Sequence, residues 1–74
     1  MTKKELVETI TDTLNLIQSL QEDLNYNTVN QLGWNLGWLD NIYTTEILED
    51  PHYDEQALIL IEKILQQILD TTTK

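Results

Sequence analysis

Few side chains in this chain could make or break a covalent bond. Nucleophilic catalysis needs a nucleophile held by a base, and the sequence offers one serine (Ser19), one histidine (His52) and no cysteine. Ser19 falls in a helical stretch and His52 in a turn, with no glycine-rich loop beside either, so the chain does not read as an enzyme of this kind. A metal site would draw on Glu46, Glu49, Asp50, His52, Asp54 and Glu55, which crowd one short stretch. Glu49-x-x-His52 has the spacing of a carboxylate-bridged di-metal pair, but that chemistry needs the pair on one unbroken helical turn, supplied twice. Here Pro51 interrupts it and it occurs once. No D-x-D-x-D-G loop for calcium is present. The stretch reads as a solvated acidic turn, and neither metal nor cofactor is expected. Paired carboxylates for acid–base work would need a cleft that a bundle this small seldom provides.

The residues that ask for an explanation lie in Leu32-Gly33-Trp34-Asn35-Leu36-Gly37-Trp38-Leu39, where a Leu-Gly-Trp triplet recurs after four residues. At about 100° per residue, Leu32, Leu36, Leu39 and Tyr43 share one side of a helix. Trp34 and Trp38 fall nearly opposite, with Ile42 beside them. Gly33 and Gly37 form a strip between, suited to close approach of another helix, because each glycine costs about 1 kcal/mol against alanine in a helix. They sit within the helix and not before it, so they make no phosphate-cradling loop. Two arrangements fit. Either the flanking helices cover opposite sides of this one and bury both indoles, or at least one tryptophan faces solvent and anchors a partner.

Charge narrows the partners. Thirteen acidic residues face four lysines and no arginine, for a formal net charge of −9. No lysine occurs between Glu5 and Glu62, and twelve of the acidic residues lie in that window. Phosphate backbones and anionic membranes are held by cations, so direct nucleic-acid or membrane-surface binding is not expected. No stretch approaches eighteen apolar residues, and no apolar segment follows Lys3 and Lys4 to make a secretory leader. The absence of cysteine fits a reducing interior. A soluble, cytoplasmic protein is the expectation.

The elements that must position these residues are three amphipathic helices in one domain spanning 1–74. The first, over about 3–24, opens on a Thr2-x-x-Glu5 capping box and carries Val7, Ile10, Leu14, Ile17 and Leu24, widened by Leu6, Thr13 and Leu20. Asn25-Tyr26-Asn27 breaks it. The second, about 28–48, buries Val29, Leu32, Leu36, Leu39, Tyr43 and Ile47. Pro51 ends the next turn, with Asp50 or Asp54 as the cap of a third helix over about 54–70. That helix presents Ala57, Leu58, Ile61, Ile64, Leu65, Ile68 and Leu69, and a tail over 71–74 frays. These periods predict an all-α fold, a small antiparallel three-helix bundle running up, down and up, with a homodimer sharing its core as the competing closure.

Together these features point to action by macromolecular binding. The expected class is an inhibitor or regulator that docks on a basic surface of a nucleic-acid-handling protein, its carboxylates imitating phosphates, as small phage anti-defence proteins do. Trp34, Trp38 and Ile42 would form the apolar centre, with Asp40, Glu46, Glu49, Asp50, Asp54 and Glu55 around it. The alternative is a homo-oligomeric structural or adaptor module whose charge only secures solubility.

Overall fold

A computed structural model describes residues 2–43 and 53–73, with the side chains of residues 40–43 outside the description. The chain folds as an all-α three-helix bundle: α1 (Lys3–Glu22), α2 (Tyr26–Tyr43) and α3 (Glu55–Thr73). Each helix starts at a polar side chain that takes up a backbone N–H the helix itself leaves open. The Thr2 hydroxyl accepts from the amide of Glu5 at 3.2 Å. The side-chain oxygen of Asn25 accepts from Asn27 at 2.8 Å, and the Asp54 carboxylate from Ala57 at 2.8 Å. Of the two candidate caps for α3, Asp54 is the one in place, and the break between α1 and α2 is Asp23–Asn25.

The core joins one stripe from each helix. Ile10, Ile17 and Leu20 from α1 meet Leu32, Leu36 and Leu39 from α2 and Leu58, Ile61 and Leu65 from α3. Thr13 is the one polar residue among the buried ones described, and its hydroxyl donates to the carbonyl of Thr9 at 2.6 Å, so it enters the core with its hydrogen bond made. Leu6, Leu14, Val29, Ile64, Ile68 and Leu69 pack against this centre from the half-buried margin. Leu24, expected in the α1 stripe, is instead exposed, because α1 ends at Glu22 and the helical period stops before reaching it.

The order of directions differs from the expected up, down and up. Leu20, Gln21 and Leu24, at the C-terminal end of α1, line one groove together with Asp54, Glu55 and Leu58, at the start of α3. α3 therefore runs antiparallel to α1 and alongside α2 in the same sense, and α1 is the helix both others pack closely against. The expectation rested on a short second turn. Eleven residues, 44–54, separate the described ends of α2 and α3, a length whose reach, up to about 3.5 Å per residue, permits either direction for α3.

The tail also departs from expectation. α3 continues through Thr73 where fraying was expected from residue 71. The hydroxyls of Thr71, Thr72 and Thr73 donate to the carbonyls of Gln67, Ile68 and Leu69, four residues back, and occupy acceptors that water would otherwise take. The expected extension of α2 to Leu48 and the packing of Ile47 fall outside the described residues. Among those that are described, no helix is long and apolar enough to cross a membrane.

Candidate interaction surfaces

Two grooves flank Tyr53, and the residues singled out by the sequence divide between them. The first runs along the outer side of α2. Its floor is Gly33 and Gly37 with Val29 and Asn30, its walls are Trp34 and Trp38 on one side and Tyr53 on the other, and it encloses about 590 Å³. Trp34 is 78% exposed and Trp38 38% exposed. The arrangement in which neighbouring helices bury both indoles is thus not the one adopted. The reason is geometric: α1 packs on the Leu32–Leu36–Leu39 side of α2, where the shared core lies, and Trp34 projects almost directly away from it.

The glycine strip is open enough to serve as a floor. A methyl group placed on Gly33 would meet the Tyr53 hydroxyl at 3.9 Å, an ordinary contact. Tyr26, exposed at the first turn of α2, stands above Asn30 and Gly33 on the same strip at spacings of four and seven. On the other flank of the tryptophans the Gln31 side-chain amide donates to the Asn35 side-chain oxygen at 3.0 Å. From Tyr26 to Leu39 there is no charged residue. This face is aromatic, amide and glycine.

The second groove, of about 700 Å³, lies at the end of the bundle where α1 stops and α3 starts. Leu20, Leu24, Leu58 and Ile59 give it an apolar lining, and Asp54, Glu55 and Glu62 line it as well. Leu24 and Ile59 are both more than half exposed. None of the lining residues is a cation; Lys63, one helical turn beyond Ile59, is not among them. Glu22 and Asp23, exposed in the chain beside Gln21 and Leu24, add two more carboxylates at this end.

The structure therefore separates what the sequence placed on one surface. Asp54 and Glu55 stand with Leu24 and Ile59, while Trp34 and Trp38 stand with the glycines. Asp40 and Ile42 belong to α2 but their side chains lie outside the description, and Glu46, Glu49, Asp50 and His52 lie outside the described residues altogether. Among the lining residues, Tyr53 and Ile59 carry no signal in the sequence, since their positions depend on which way α3 runs. No protein-family model matches the chain, and neither curated proteins nor solved structures yield a match.

Proposed function

We propose that this protein acts by docking on a basic protein surface, as an inhibitor or regulator of a nucleic-acid-handling protein, and that the groove at the α1–α3 end is its contact. The carrying observation is the pairing of exposed Leu24 and Ile59 with the carboxylates of Asp54, Glu55 and Glu62 around one concavity. An apolar floor supplies affinity by burial. A one-signed rim steers a cationic partner to it and rejects anionic ones. The same carboxylates compete for a channel that otherwise holds phosphates. The row Glu5, Glu8 and Asp12, exposed along the outer side of α1, extends the negative field from the same helix.

The test is capture of partners by the full chain and by a triple variant, Asp54→Asn, Glu55→Gln and Glu62→Gln. Asparagine caps a helix as well as aspartate, so α3 keeps its start. Partners held through the groove are retained at about 0.05 M salt, released by about 0.3 M, displaced by added duplex DNA, and lost in the triple variant. Retention by the triple variant at undiminished affinity overturns the reading.

The alternative, a homo-oligomeric module, has its own observation in its favour: the uncharged tryptophan face of α2.

A further inference from the structure

We propose that the α2 face carrying Trp34, Trp38, Gly33 and Gly37 is a self-association surface, on which a second copy of this chain docks about a two-fold axis. Charge selects the occupant. Each copy carries a net −9, so two copies repel wherever carboxylates face each other, and the stretch from Tyr26 to Leu39 contributes none. A basic partner finds no counter-charge there and is drawn more strongly to the carboxylates of the other helices. What the face does offer is uncharged aromatic surface and neutral amides, which pair with their own kind.

Shape points the same way. A two-fold interface uses one patch twice, so the patch must contain both a projection and a recess. Here an indole exposed over most of its surface stands beside a groove floored by two glycines, open from Tyr53 to Trp34. The exposed parts of the four indoles of a dimer supply on the order of 500 Å². That is roughly a third of the ~1,600 Å² of a standard interface, and the groove walls and the amides of Asn30, Gln31 and Asn35 lie in reach for the rest.

Sedimentation equilibrium of the full chain from about 1 µM to about 1 mM tests this directly, alongside Trp34→Ala and Gly33→Ala. The expected result is a monomer–dimer equilibrium whose dissociation constant rises at least about tenfold in Trp34→Ala and also rises in Gly33→Ala, with the helical circular dichroism unchanged in both. Raising salt from about 0.05 M to about 0.5 M should tighten the dimer, because screening removes the repulsion between copies. That is opposite in sign to capture of a basic partner, so failure of one reading is distinguishable from failure of the other. A chain monomeric throughout, or a dimer equally tight in both variants, overturns the proposal.

Discussion

The hydroxyl of Tyr53 lies 3.9 Å from where a Cβ on Gly33 would stand, which brings the residues entering α3 against the middle of α2. That approach sets how much side chain position 33 can accept.

Gly33→Ala should fold and gain stability. At 3.9 Å the added methyl meets Tyr53 in ordinary contact, so nothing must move, and alanine is better than glycine inside a helix by about 1 kcal/mol. A gain of roughly 0.5–1 kcal/mol is expected by urea unfolding at low micromolar concentration. Gly33→Leu should lose stability, because a longer side chain must pass through the position of the tyrosine. Equal effects of the two substitutions would show that Tyr53 does not pack there.

Two residues apart on α2, Leu36 and Trp34 should respond in opposite ways. Leu36 is fully buried, and Leu36→Ala leaves a cavity costing about 2–5 kcal/mol, enough to unfold much of a domain this small. Trp34→Ala removes the larger side chain from a mostly exposed position and should change monomer stability by less than about 0.5 kcal/mol. Thermal melts of the two variants at one low concentration check the contrast. A severe loss in Trp34→Ala would place the indole in the core.

The helix stripes were legible in the sequence because burial follows the 3.6-residue period, and Ile10, Ile17, Leu32, Leu36, Leu39, Leu58, Ile61 and Leu65 all obey it. Leu24 obeys the period too, but α1 stops two residues before it, and period alone does not say where a helix ends. The caps at Thr2 and Asn25 could be read from residue type, whereas Asp54 had to be chosen over Asp50 by the structure. The direction of α3 was not legible, since helical periods fix which face is buried and not the sense in which one helix runs beside another. That direction brings Leu24 and Ile59 together with Asp54, so the acidic groove was hidden for the same reason. The tryptophans left two outcomes open because their period placed them opposite Leu32 and Leu36, while only the formation of the shared core on the leucine side decides that they face out.

Thr13→Val should leave the fold intact and hold or raise stability. The buried hydroxyl donates to the Thr9 carbonyl, which lies inside α1, where the backbone already supplies a donor. Removing the hydroxyl therefore strands no buried donor, and a methyl takes its place against Ile10 and Ile17. A change between zero and about +1 kcal/mol is expected from denaturant unfolding. A loss above about 1 kcal/mol would mean the hydroxyl makes the core specific in a way that its one hydrogen bond does not explain.

Glu22→Lys should stabilise the monomer through the end of α1. Glu22 is the last residue of that helix, where the exposed carbonyls give a partial negative charge, and the last turn has no basic residue. The next helix begins close by and its positive end favours a carboxylate, which opposes the gain. Glu22 nonetheless lies within the last turn of α1 and ahead of the three-residue turn to α2, so the α1 terminus dominates. Repulsion from Asp54, Glu55 and Glu62, which line the groove at the same end, acts with it. The expected gain is about 0.5–1 kcal/mol at low salt, shrinking toward zero by about 1 M salt as screening shortens the reach of each charge to roughly 3 Å. A gain that persists at high salt would have to come from packing of the lysine stem, and a loss at low salt would mean the α2 terminus outweighs α1.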